Sequence, residues 1–202
     1  MCGNGIRCVA GYLAMRGAVE GKGGPLTIAT DAGPKRCDVR LSGSAGVEVA
    51  VEMGPATITG TMMVELDGRQ HAFTCADVGN PHAITFAQYE EAAIDRVGQL
   101  VASFPRGGTN VEFCTLVRGE TGRAEVVDVV VWERGVGRTL ACGTGACAVA
   151  SAACAAGYRA YGSPLRVRLP GGELTITIEP GSHAATMRGP ARRVFTGEVE
   201  VL

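Results

Sequence analysis

An α/β (α+β) fold of two pseudo-symmetric units, each a curved sheet wrapped on one central helix, is predicted by three observations. The chain carries an internal repeat, each copy opens an apolar helical segment at a cysteine, and strand-like alternation follows each helix. Laying Cys2 on Cys142 aligns CGNGIRCVAGYLAMRG with CGTGACAVASAACAAG, with identities at the cysteine, both glycines of Gly-x-Gly, Val-Ala and the closing glycine. The match continues: Pro25-Leu26 lies on Pro164-Leu165, and Gly54-Pro55-Ala56 on Gly189-Pro190-Ala191.

Taken in order, the first segment keeps Ile6, Val9, Ala10 and Leu13 at helical spacing and ends at Gly17, a residue suited to a left-handed cap. It reads as a buried central helix. Strands follow at LTIAT (26–30) and VEVAVEM (47–53), where apolar and polar residues alternate. The second unit starts near His71 with the strand HAFTCADVG, a helix over 89–103, and the strands NVEFCTLV (110–117) and AEVVDVVVW (124–132). Its central helix opens at Cys142, is apolar on nearly every face over 146–156, and stops at Gly157. LRVRL, LTITIEP and GEVEVL (197–202) complete it. The resulting division is 1–70 and 71–202, with the last strand free to return to the first domain.

The repeat is uneven. The second copy has strands and a helix ahead of its cysteine, whereas the first has only Met1. Repeat logic therefore predicts an N-terminally truncated chain, short by roughly 70 residues. Such a chain would leave its first helix partly uncovered, expose sheet edges and turn over poorly.

Composition narrows the function. With 202 residues, 46% hydrophobic and 19% charged, the chain can bury a sizeable core. A net charge of −1 leaves no basic stripe for nucleic acid or an anionic membrane, which points to a small-molecule partner. No run of 18 apolar residues occurs, and MCGNGIRC lacks the regions of a secretory signal, so a cytoplasmic setting with reduced cysteines is expected. The two lysines, Lys22 and Lys35, sit in Gly/Pro-rich turns and make a Schiff base unfavourable.

The chemistry resides in the repeated cysteines. A helix N-terminus lowers a thiol pKa by presenting unpaired N–H groups and the positive end of the dipole, so both thiols are expected to be activated. The Gly-x-Gly backbone can approach an anion closely, and a substrate carboxylate is the natural guest. Inverting a stereocentre needs a base on one face of the carbon and an acid on the other, which two opposed thiols supply in both directions. Two thiols facing one carbon could also oxidise to a disulfide, so activity should depend on reductant. The other six cysteines, Cys8, Cys37, Cys75, Cys114, Cys147 and Cys154, read as small core residues. No CxxC occurs and His71, His82 and His183 show no ligand spacing, which disfavours zinc. GTGACA (143–148) fits a dinucleotide fingerprint, yet it follows a loop rather than a strand and no acid lies where the ribose contact is needed.

The pair MCGNGIR and WERGVGRTLACGTGACA, with GNPHAI (79–84) and FPRGGTNVEF (104–113), resembles the diaminopimelate epimerase family along the whole chain from Cys2. Proline racemase-like relatives share the two-cysteine scheme but carry a histidine where this chain has Asn4. The resemblance implies two barrel-like domains around central helices, a site in the cleft between them, and a homodimer. It also implies interconversion of LL- and meso-diaminopimelate without pyridoxal phosphate or metal, for lysine and cell-wall synthesis. Cys2 and Cys142 become base and acid; Gly3, Asn4, Gly143 and Thr144 surround the reacting carboxylate. Asn80, Asn110 and Arg134 hold the distal end of the substrate, and His82 and Glu133 lie beside the reacting centre. Arg134 suits a carboxylate and the two amides suit a carboxylate or ammonium, although each is also an ordinary turn residue. Arg138, where the family usually has Glu, is expected near Cys142, where it would lower the thiol pKa or alter the preferred anion. A two-thiol racemase of another amino acid, such as proline or histidine, and a non-catalytic remnant are the competing readings.

Overall fold

A computed structural model describes residues 2–42, 46–66, 68–198 and 200. Helix α1 (Gly3–Leu13) runs into a π-turn (Ala14–Ala18), followed by β1 (Gly23–Ile28), β2 (Lys35–Ser42), β3 (Gly46–Pro55), β4 (Thr57–Leu66), β5 (Arg69–Asp77) and β6 (Pro81–Thr85). Next come α2 (Glu91–Ser103), β7 (Asn110–Arg118), β8 (Ala124–Glu133), β9 (Gly137–Thr139) and α3 (Gly143–Ala155). Strands β10 (Leu165–Leu169), β11 (Gly172–Ile178) and β12 (Ala184–Arg192) complete the described elements.

These strands form one continuous mixed sheet, in the order β1-β2-β3-β12-β11-β10-β8-β7-β6-β5-β4, with β9 paired to β8. The β8–β10 and β6–β7 pairs are parallel, because a helix-containing connection separates each, and the rest are antiparallel. Strand β12 lies antiparallel on β3 from Ala184↔Pro55 to Arg192↔Gly46, stitching a late strand to an early one.

The sheet encloses α3, which packs against β4 to β7 and β10 to β12 and is buried from Gly143 to Cys154. Its alanine-rich sequence suits this: small side chains let strands approach from every side, and all-round apolarity marks a buried helix. Ser151, a polar residue in this helix, donates its hydroxyl to the Ala56 carbonyl at 2.6 Å. Gly157 caps the end at φ 74°. A smaller apolar cluster under α2 joins Phe73, Ile94, Val101, Val111 and Phe113.

Helix α1 departs from the expected buried state. It packs on β1 to β3, β12 and α3, while Cys8, Val9 and Tyr12 on its other side are exposed, Tyr12 to 61%. Cys8 is accordingly not a core residue; of the other five non-repeat cysteines, Cys37, Cys114, Cys147 and Cys154 are buried and Cys75 is half-buried. The strand expected at GEVEVL is likewise corrected: residues 197, 198 and 200 are not in a strand, and 199, 201 and 202 lie outside the described residues.

Candidate active site

Each central helix begins on its own cysteine. Cys2 and Cys142 are extended N-caps (φ −96° and −129°), and each sulfur accepts from the amide three residues on, Gly5 at 3.4 Å and Gly145 at 3.3 Å. The thiols thus stand where a serine or aspartate usually caps a helix, aimed at orphan N–H groups.

The two helix starts abut. A Cβ added at Gly143 would lie 3.1 Å from Gly3 Cα, and one at Gly3 would lie 3.3 Å from Gly143 Cα. Only glycine allows that approach, and the Met53 and Met187 side chains close the remaining space. Asn4 Nδ2 donates to the Ala141 carbonyl at 3.4 Å, tying α1 to the residue before Cys142. Arg7 completes the joint, donating to Gly3 O at 3.4 Å and Asn4 Oδ1 at 3.2 Å. Burial lowers its pKa, against the opposing pull of Cys8, Cys2 and Cys147. A cation in the second turn of a helix read as buried was the sequence signal for it.

The two thiols are not equivalent. Cys2 is exposed and Cys142 is 7% exposed. Burial first, and then the Glu112 charge, push the Cys142 thiol up to about 11, while Thr144 and the Gly145 amide lower it and Glu133 raises it. The expected activation of Cys142 by the helix start is therefore corrected: desolvation outweighs the dipole, and Cys142 is a thiol at neutral pH. Arg138 does not help, since it pairs with Glu91 and Asp95 on α2.

The strand ends beneath α3 gather most remaining candidates. Parallel pairing sets His82 opposite Asn110. His82 Nδ1 lies 2.7 Å from Glu112 Oε1, both side chains fully buried, with His82 Nε2 and Glu112 Oε2 lacking hydrogen-bond partners among the described residues. Glu112 was missed from the sequence because alternation reads it as a solvent-facing strand position; sharing a face with Asn110, two residues earlier, was the available signal. Thr144 Oγ1 lies 3.5 Å from Cys142 Sγ. Glu133 accepts from Thr139 Oγ1 at 2.6 Å.

The distal candidates form a second group. Asn80 sits half-buried in the turn before β6. Asn110 Oδ1 accepts from the Arg134 backbone amide at 3.0 Å. The exposed Arg134 side chain is docked on the turn between α2 and β7, donating to Gly107 O at 2.5 Å and Gly108 O at 3.4 Å. Among the described residues no three His, Cys, Asp or Glu side chains converge as a metal-ligand set. What the arrangement offers is two sulfur acid/base groups and two sets of helix-start amides.

Comparisons with known proteins place this architecture. The fold is shared by solved structures of a hydroxyproline epimerase and a PhzF-family protein. A hydroxyproline epimerase from Agrobacterium vitis, solved with bound trans-4-hydroxy-L-proline, superposes with a TM-score of 0.70 at 17% identity, covering 93% of this chain and 64% of the other. A Bacillus anthracis phenazine biosynthesis protein of the PhzF family superposes with a TM-score of 0.66 at 15% identity, covering 100% and 76%. The chain thus spans less than two thirds of the first of these proteins. In sequence, the diaminopimelate epimerase family profile matches residues 74–194. The diaminopimelate epimerase of Methanococcus maripaludis is 37% identical over 218 aligned positions, covering 100% of this chain and 75% of the relative. That of Corynebacterium aurimucosum is 39% identical over 208, covering 100% and 70%. The chain belongs to the diaminopimelate epimerase family.

Proposed function

We propose that the protein interconverts LL- and meso-2,6-diaminopimelate by proton transfer between two opposed thiols, Cys2 and Cys142. The carrying observation is the paired N-cap geometry: identical cysteine caps on two helices whose starts meet glycine to glycine. The amides of Gly3, Asn4, Gly143 and Thr144 would hold the reacting carboxylate and stabilise the charge that develops as the α-proton leaves. With Cys142 resting as a thiol, Cys2 takes the α-proton on one face while Cys142 delivers one to the other, and the roles exchange in reverse. His82 and Glu133 would adjoin this centre. Asn80, Asn110 and Arg134 would hold the distal amino-acid end, with Arg134 leaving its turn carbonyls for a carboxylate. No cofactor enters the scheme. A two-unit division at 1–70 and 71–202, a homodimer, a cytoplasmic setting and a role in lysine and peptidoglycan precursor supply belong to the same reading. No helix among the described residues is long and apolar enough to cross a membrane.

Solvent deuterium incorporation at the α-carbon of diaminopimelate tests the scheme. Wild type should exchange, and Cys2→Ser and Cys142→Ser should each lose about 100-fold or more, the low end of a general acid/base contribution. Exchange that survives undiminished in both variants would sink the mechanism. The likeness to a hydroxyproline epimerase favours a second reading, a racemase of another amino acid. Exchange with proline but not diaminopimelate would select it.

A further inference from the structure

Resting on the two-thiol reading, we propose that Glu112 is the positioning residue of the Cys142 half-site. Its carboxylate fixes the His82 ring through Nδ1 and, lying against the first turn of α3, holds Cys142 in the proton-donating form.

Three observations carry this. Glu112 is an acidic residue with no exposed surface, on a strand whose other face packs under α2. Burying a carboxylate is costly unless something uses or compensates it, and here only one oxygen is engaged. Second, that oxygen meets His82 Nδ1 at 2.7 Å. A carboxylate beside Nδ1 keeps the ring proton there and leaves Nε2 as the acceptor, and His82 Nε2 is buried without a partner among the described residues. Third, a Cβ at Gly145 would lie 2.6 Å from Glu112 Oε1. The carboxylate therefore occupies the space a side chain would take, on the residue whose amide donates to Cys142 Sγ at 3.3 Å.

The groups around Cys142 explain why Glu112 matters most. Glu112 from β7 and Glu133 from β8 both oppose a thiolate, with Glu112 the larger influence. Thr144 and the Gly145 amide on α3 favour it. His82 from β6 is held by Glu112 itself, and Arg7 from α1 acts on Cys147 and Cys2. At Gly5, the matching place in the first copy, a Cβ would meet only Cys2 atoms among the described residues, at 3.6 and 3.7 Å. Beyond the burial of Cys142, Glu112 is the charge that most sets this thiol toward the donor form.

The pH profile of Cys142 alkylation by iodoacetamide, read by peptide mass spectrometry, tests this directly. In E112Q, which keeps the shape and loses the charge, the midpoint should fall by about one unit, a tenfold faster alkylation at fixed pH. E112D should keep the wild-type midpoint, and the exchange kcat in E112Q should drop by about tenfold with KM little changed. An E112Q profile that matches wild type overturns the proposal. So does faster alkylation of Cys147 and Cys154 together with Cys142 in both variants, which would mark a loosened fold. Should E112Q not fold, the wild-type midpoint decides: a Cys142 midpoint at the ordinary thiol value overturns the proposal. A shifted E112Q profile in a protein that exchanges no diaminopimelate proton supports the hold of Glu112 on Cys142 and defeats the epimerase reading instead.

Discussion

Gly5 and Gly145 occupy the same place in the two repeats, the third residue after the capping cysteine, yet replacing each with alanine should have opposite effects. Alanine favours a helix over glycine by up to about 1 kcal/mol. At Gly5 the new methyl meets ordinary contacts with Cys2 at 3.6 and 3.7 Å, so Gly5→Ala should stabilise by several tenths of a kcal/mol up to about 1 kcal/mol. At Gly145 the methyl would lie 2.6 Å from Glu112 Oε1, 3.2 Å from Cys142 Cβ and 3.3 Å from Cys142 Sγ. Glu112 has no solvent to retreat into, and withdrawing its oxygen breaks the 2.7 Å contact with His82. Overpacking costs about 1–3 kcal/mol and a hydrogen bond to a charged group about 1.5–3 kcal/mol. Even the low ends together exceed the propensity gain, so Gly145→Ala should destabilise by about 1.5–5 kcal/mol. Urea unfolding with unchanged slopes reads both variants on one scale. A Gly145→Ala protein as stable as Gly5→Ala would refute the placement of Glu112 against α3.

Two further outcomes concern stability. Cys142 is pushed up to about 11 and Cys147 to about 12 from an ordinary 9.0, with burial the leading cause in each, so the folded protein holds protons that the unfolded chain has released. Stability should therefore be intact below pH 9 and fall as pH rises through 11, by about 3 kcal/mol from Cys142 alone. Urea midpoints from pH 8 to 10.5 check it; a flat profile contradicts it, and Cys142→Ser should shrink the fall. Ser151→Ala should cost about 1–2 kcal/mol, because the Ala56 carbonyl loses a buried donor at 2.6 Å. Unchanged unfolding would mean that carbonyl finds another partner.

The repeat and the periodicity made the central elements legible: α1, α3, β7, β8, β10 and β11 all fall where alternation or a capped apolar run placed them. Strands β2, β4 and β12 are hidden from the alternation of the sequence, for physical reasons. In β2 every second residue is charged, Arg36, Asp38 and Arg40, around the buried Cys37 and Val39, and its apolar face is thin. A bulge between Ile58 and Gly60 interrupts the alternation of β4. β12 carries Gly189 and Pro190, which argue against a strand, yet Pro190 lies beyond the last residue that β11 pairs. The cysteine pair was legible because the repeat printed it twice. Their inequality was not, because the burial of Cys142 and the Glu112 carboxylate beside it come from strands distant in sequence, which local pattern cannot show. Arg138 erred the same way: four residues from Cys142 in sequence, it reaches across to α2 instead.

The pairing of β12 with β3 also has a kinetic side. Gly46 finds its partner in Arg192 and Pro55 in Ala184, so β3 cannot complete its ladder until nearly the whole chain is available. Closing so long a loop is paid in chain entropy before any contact returns it, which slows folding. On a ribosome β3 could pair with β2 early and would then wait, one edge open, through the synthesis of α2, α3 and eight strands. That open edge is the interval in which pairing with another nascent copy competes with the native strand.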